Sequence, residues 1–149
     1  MLAHVHDLRG DLWLSPVFTA RTEPVDDWGA FHGYWTADPH TVEPRFGTEA
    51  DLVALSDALR EEGRGLWLDL VLNHVGYETP MVSAHPDWFH HEGDVVDWND
   101  PVQIVTHDVH GLPDLDQDVP EVYAWLRDAA LHWIRTVHPK GFRIDAVRH

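Results

Sequence analysis

Residues 65–74, Gly65-Leu66-Trp67-Leu68-Asp69-Leu70-Val71-Leu72-Asn73-His74, form an almost unbroken apolar run. A strand with one wet face alternates apolar and polar positions, so a run of this kind suits a strand covered on both faces, as in a parallel sheet flanked by helices. Parallel neighbours need crossover connections. The flanking sequence supplies them. Upstream, Asp11-Leu12-Trp13-Leu14-Ser15-Pro16-Val17-Phe18 reads as a short buried strand stopped by proline. Thr48-Glu49-Ala50-Asp51 then opens a capped helix, with Leu52, Leu55, Ala58 and Leu59 on one face and Gly63 ending it. Downstream, an Asp118 cap and an early Pro120 open a second helix carrying Val122, Trp125, Leu126, Ala129, Trp133 and Ile134, which ends at Pro139. A third strand follows from Gly141. Strand, helix, strand, helix, strand predicts a parallel α/β sheet with right-handed crossovers.

Between these elements lie two stretches without a clear period. Residues 19–47 read as a long ordered loop around Phe31-His32-Gly33-Tyr34-Trp35, and residues 75–117 as an irregular insertion rich in His, Asp, Trp and Pro. Loops of such length inside a compact domain are usually functional. Met1–Gly10 reads as the tail of a helix or a loop. Ligands of parallel α/β sheets bind at the carboxyl ends of the strands, which here carry Asn73, His74, Asp145 and His149.

The third strand, Gly141-Phe142-Arg143-Ile144-Asp145-Ala146-Val147-Arg148-His149, has a charged and an oily side. Alternation puts Arg143 and Asp145 on one face, Phe142 and Ile144 on the other. A guanidinium beside a carboxylate favours the anion, the form a nucleophile requires.

Composition removes several partner classes. Twenty-six acidic residues against ten basic ones give a net charge of −16, which repels phosphate backbones and anionic lipid headgroups, so nucleic acid and membrane partners are not expected. The absence of cysteine excludes disulfides and thiolate metal sites. No apolar run reaches membrane-spanning length, and Met1-Leu2-Ala3-His4 does not open a signal peptide, which leaves a secreted or cytoplasmic location equally open.

Four blocks in order carry a family resemblance: Phe31-His32-Gly33-Tyr34-Trp35 with Phe46-Gly47-Thr48, then Asp69-Leu70-Val71-Leu72-Asn73-His74, then Leu112-Pro113-Asp114-Leu115-Asp116, and finally Gly141–His149. The chain resembles the α-amylase family of glycoside hydrolases, and most of all its α-1,4-glucan-cleaving α-amylases. The resemblance implies a partial (β/α)8 TIM barrel with about three parallel strands. Residues 1–74 would form the first barrel portion, 75–117 an inserted B-type subdomain, and 118–149 the barrel helix and nucleophile strand. It further implies that Asp145 is the nucleophile of a retaining hydrolysis and that Arg143 holds it ionised. Asp69 would pair with Arg143 from beneath, while His32, Tyr34, Trp35, His74, Arg148 and His149 would bind the substrate, an α-glucan or maltooligosaccharide. A structural calcium would take the Asn73 side chain, the Asp114 carboxylate and the His149 carbonyl, with a further carbonyl from around Asp100–Gln103. In the family the acid/base glutamate lies on a later strand, so the 149 residues are expected to be inactive alone, the missing strands coming from the rest of the parent chain.

Other readings stand beside this one. A related α-glucosidase or transglycosylase shares the same motifs. A non-catalytic carbohydrate-binding or split-subunit protein would use the aromatic loop without turnover. A zinc hydrolase is suggested by thirteen histidines, including His4-x-His6, His90-His91 and His107-x-x-His110.

Overall fold

The computed structural model describes residues 9–149. Nearly all of the Met1–Gly10 stretch lies outside the described residues. A three-stranded parallel sheet is ordered β1 (Leu12–Leu14), β4 (Leu66–Leu70), β5 (Gly141–Ile144), and an antiparallel pair joins β2 (Phe18–Ala20) to β3 (Thr36–Val42). Registers in the sheet are unbroken, with Leu12 opposite Leu66, Trp67 opposite Gly141 and Asp69 opposite Arg143. Helix α1 (Glu49–Glu61) connects β3 to β4, and α4 (Pro120–Thr136) connects the segment after β4 to β5.

Helix α1 starts as its sequence dictates. The Thr48 hydroxyl accepts from the Asp51 amide while the Asp51 carboxylate accepts from the Thr48 amide, closing a capping box. Leu52 and Leu59 then face the sheet, where they meet Leu66, Leu68, Leu70, Trp133 and Val137 in one buried cluster. Each such side chain taken from water stabilises the fold by about 1.5–3 kcal/mol. At the amino ends of the strands, Asp11 accepts from the Gly65 amide (2.8 Å), the Trp67 indole (3.1 Å) and the Lys140 ammonium (2.6 Å), which pins all three strands together. The hydrogen bonds from Lys140 and then Trp67 hold its carboxyl down at about 2.

Two expectations need correction. The apolar run at residues 11–18 is two strands rather than one: β1 stops before Pro16, and Phe18 begins β2. The stretch read as loop contains β3, which the sequence hides because Asp38 and Pro39 interrupt alternation and the pairing slips on both sides of Thr19. Pro39 falls in the slipped stretch of pairing, where a missing N–H breaks no ladder bond; its carbonyl takes the Trp133 indole N–H (2.7 Å), and Trp133 stacks on Phe18 at 5.0 Å. Helix α4 therefore holds the hairpin as well as returning the chain to β5. Its cap differs too: Val119 occupies that position without a side-chain bond, and the turn is made by Asp116, which accepts from the Asp118 and Val119 amides.

Between β4 and α4 the chain forms only short helices, α2 (Pro80–Ala84), a 3-10 turn at Pro86–Trp88 and α3 (Gln103–Thr106). Val75, Phe89 and Leu115 of this segment pack on Val122 and Leu126 in the first half of α4. A third small cluster, Ala30, Trp35 and Leu112, joins the segment to the aromatic loop. Among the described residues no helix is long and apolar enough to cross a membrane.

Candidate active site

The site is built first by register. Asp69 lies opposite Arg143 across the β4–β5 ladder, and beyond β5 the Asp145 amide still donates to the Leu70 carbonyl (2.9 Å). Positions two apart on a strand share a face, so Asp69, Arg143 and Asp145 converge. One Arg143 nitrogen, Nη1, lies 3.2 Å from each Asp69 oxygen and 2.5 Å from Asp145 Oδ1. The two carboxylates differ in their access to water. The Asp69 side chain is fully covered while that of Asp145 remains 19% exposed. Burial pushes the Asp69 carboxyl up against the opposing pull of Arg143 and Tyr34. Arg143 in turn loses hydration, yet its bonds to Asp69 and Asp145 outweigh that and strengthen its positive charge.

The aromatic loop closes over this face. Tyr34 donates its hydroxyl to Asp69 Oδ2 (3.0 Å), and its ring lies 5.8 Å from the Arg143 guanidinium carbon. Burial, followed by the Asp69 contact, pushes the Tyr34 phenol up to about 12, so it stays a donor. The loop's path depends on Gly33, at φ +83°, where a Cβ would collide with the Pro16 carbonyl oxygen. It also depends on Gly76, whose amide donates to the Thr36 carbonyl (2.8 Å) and where a Cβ would meet the Trp35 carbonyl oxygen at 2.5 Å. Trp35 is buried with Tyr77 at its edge, and His32 sits between Tyr34 and Trp35.

His74, next after Asn73 beyond β4, places Nε2 3.2 Å from the Tyr34 carbonyl. A carbonyl only accepts, so that nitrogen carries the proton and the ring, its pKa lowered by burial, is neutral. Its Nδ1 is the one buried side-chain polar atom without a partner among the described residues.

Asn73 and Asp114 meet directly, Asn73 Nδ2 donating to Asp114 Oδ1 at 2.8 Å, with His90 Nδ1 2.7 Å from Asp114 Oδ2. Burial pushes the Asp114 carboxyl up to about 6, opposed by His90. A buried carboxylate beside a carboxamide is the donor chemistry of a hard cation, which takes oxygens from side chains and carbonyls alike. The His149 ring Nδ1 lies 2.9 Å from the Ile104 carbonyl. Ile104 adjoins the stretch around Asp100–Gln103 where a further carbonyl was expected. No group of three or more His, Asp or Glu side chains among the described residues could hold a metal ion. The histidine pairs behind the zinc reading are otherwise engaged: His90 lies on Asp114, His91 on the Pro86 carbonyl and His107 on Thr106, while His4 and His6 lie outside the described residues.

Residues not singled out from the sequence also border the site. Tyr77 donates to the His110 carbonyl (2.6 Å), and the Trp98 ring lies 5.7 Å from His149 and 5.8 Å from His110. Arg148, expected at the substrate, donates to the Trp98 carbonyl at 3.4 Å. These contacts span tens of residues of irregular chain, so no local spacing announces them. An apolar cavity of about 610 Å3 lies away from this chemistry, among Leu14, Val17, Phe46, Leu52 and Leu55.

Residues 2–107 match the family model for the alpha amylase catalytic domain. Over 93% of its length the chain is 30% identical to alpha-amylase mde5 of Schizosaccharomyces pombe, of which it spans 29%. It is 33% identical to an intracellular maltogenic amylase of Bacillus subtilis, covering 90% of this chain and 23% of that protein. The crystal structure of the alpha-amylase from Geobacillus thermoleovorans complexed with acarbose superposes with a TM-score of 0.85 at 42% identity, over 92% of this chain and 30% of that one. The likeness of fold makes β1, β4 and β5, with α1 and α4, part of a (β/α)8 barrel.

Proposed function

Starting from a chain that belongs to the α-amylase family of glycoside hydrolases, we propose that these residues carry the nucleophile half of a site that hydrolyses α-1,4-glucosidic bonds in starch and maltodextrins with retention. The observation that supports this most is the single guanidinium, Arg143, shared by a buried and an accessible carboxylate. Retaining hydrolysis needs one carboxylate to attack the anomeric carbon and another to protonate the leaving oxygen and then activate water. Asp145 is the first. Asp69 does not serve as the second, since it is covered and held by Tyr34 and Arg143; instead it fixes Arg143 so that Asp145 presents a free oxygen to the sugar.

Tyr34 provides a ring face for the sugar bound at Asp145, and His32 and Trp35 brace it from behind. His74 holds the Tyr34 backbone through Nε2, and His149 and Arg148 line the other side. Calcium would be held by the Asn73 carboxamide, the Asp114 carboxylate and the His149 carbonyl, where its charge would fix the segment after β4 against the strand ends. In this reading protonation of the leaving oxygen falls to a carboxylate on a barrel strand other than β4 and β5.

Calorimetric titration tests the substrate class. Maltoheptaose is expected to bind saturably, binding is lost in Tyr34→Ala, and cellohexaose, a β-1,4-linked glucose oligomer, does not bind. No binding of maltoheptaose, or equal binding of both sugars, would overturn the reading.

A further inference from the structure

A second cavity lies at the opposite ends of the strands from Asp145. It holds about 380 Å3 and is lined by Ser56 and Arg60 of α1, Arg64 ahead of β4, and His138 and Lys140 ahead of β5. That volume falls within the range of about 300–1,000 Å3 seen for small-molecule pockets. The chain has only ten Lys and Arg against twenty-six acidic residues, yet three of the ten line this one cavity and no Asp or Glu does.

Each of these cations is braced. Arg60 donates to Asp57 (2.9 Å), Arg64 to Glu62 (3.2 Å) and Lys140 to Asp11 (2.6 Å). Lys140 also lies across Gly65, where a Cβ would collide with its stem. The braces hold the cations in place without saturating them. An ammonium has three N–H donors and a guanidinium five, and Lys140 and Arg60 each engage one of theirs in these pairs. The carbonyl end of a helix attracts a cation on its own account, which explains Arg60. Ser56 has no such explanation. It is 3% exposed, its hydroxyl bonds to nothing among the described residues, and unlike the sealed His74 nitrogen it opens into the cavity. A covered hydroxyl without a protein partner calls for an acceptor from outside, and the cations beside it select a negative one.

We propose that this cavity binds a phosphate-sized oxyanion, free or as the end of a small phosphate ester, with Arg60, Lys140 and the Ser56 hydroxyl donating to its oxygens. The occupant is small because the charge of −16 on the whole chain repels a polyanion, whereas over a few ångströms the nearest cations dominate. Bound there, the anion ties α1 to the starts of β4 and β5, away from the carboxyl ends that carry Asp145. The proposal does not rest on the α-glucan reading.

Calorimetric titration at fixed ionic strength, with inorganic phosphate and with glycerol phosphate, tests it. Saturable binding is expected. Tighter binding of the ester would assign the rest of the cavity to its organic part, and equal or tighter binding of inorganic phosphate would make the free anion the ligand; either upholds the site. Arg60→Gln is expected to weaken binding about tenfold, and Ser56→Ala about threefold without lowering Tm, since no bond within the protein is lost. Arg127→Gln, which removes an exposed cation paired with Asp128, should bind as the unaltered protein does. Binding that does not saturate, or the same loss in Arg127→Gln as in Arg60→Gln, would overturn the proposal. So would unchanged affinity in both Arg60→Gln and Ser56→Ala.

Discussion

Two walls of the site are made by different means. On one, β4 and β5 fix Asp69 opposite Arg143 through a ladder of backbone hydrogen bonds, and Asp145 continues that ladder onto the Leu70 carbonyl. On the other, the segment after β4 contains only helices of a turn or so and is held by scattered contacts rather than a ladder: Val75, Phe89 and Leu115 packed on α4, single backbone bonds such as Leu115 to the Asn73 carbonyl and Val95 to the Asp108 carbonyl, and side chains on amides, Asp94 on Gly111, Asp108 on Asp114, Gln103 on Val96 and Asp97. A ladder places a side chain within tenths of an ångström because every neighbouring residue enforces the same geometry. A web of single polar contacts places Trp98 and His110 less tightly and can be loosened one contact at a time. Under the proposed reading, the rigid wall suits bond-making chemistry and the adjustable one recognition of the rest of a polymer.

The comparison breaks most readily at Asp69. Asp69→Asn leaves Arg143 with one carboxylate instead of two, and a misplacement of about 1 Å at the reacting carboxylate costs on the order of 10²-fold in rate. Fluoride release from α-maltosyl fluoride, whose leaving group needs no protonation, is expected to slow by about that factor. Normal release would show that the ladder alone orients Asp145.

Gly33→Ala attacks the aromatic loop, which touches one wall through Tyr34 on Asp69 and the other through Trp35 beside Leu112. With positive φ and the Pro16 carbonyl in the way, the substitution is expected to destabilise by about 1–3 kcal/mol, read as a lowered Tm and weakened maltoheptaose binding. An unchanged Tm would mean that the aromatic loop has another path.

Much of the strand-built wall is legible in the sequence. The apolar run at 65–74 announces a doubly covered strand, and alternation alone puts Arg143 and Asp145 together. The capping box at Thr48 and Asp51 forms as its spacing implies. The β2–β3 hairpin is not legible, because Asp38 and Pro39 break its alternation where the pairing slips and the strand is secured by a bond from Trp133, 94 positions away, to the Pro39 carbonyl. Trp98 escapes for a similar reason, as its carbonyl is bonded by Arg148, 50 residues on. Local patterns report local forces, and both features are held by distant ones.

Calcium sharpens the contrast. If Asn73, Asp114 and the His149 carbonyl hold the ion, chelation should lower Tm by several degrees, since saturation at about 100 times Kd contributes about 2.7 kcal/mol. Amide exchange should accelerate in residues 89–115 and stay slow in β4. Uniform acceleration, or none, would dissociate the ion from the loop wall.

The smallest effect is expected from Gln103→Ala, which removes two amide contacts on an exposed loop at about 1 kcal/mol or less. Faster exchange confined to Val96 and Asp97 is the expected result. A change reaching Arg143 would show that the walls are not independent.

The account stands on Asp145 being the attacking group. When the protein meets α-maltosyl fluoride, an Asp145 oxygen is expected to form an ester bond to the anomeric carbon as the carbon–fluorine bond breaks and fluoride leaves with the electron pair. Peptide mapping by mass spectrometry should then find the maltosyl adduct on Asp145 and none in Asp145→Asn. No adduct, or an adduct on Asp69 or any other carboxylate, would contradict it.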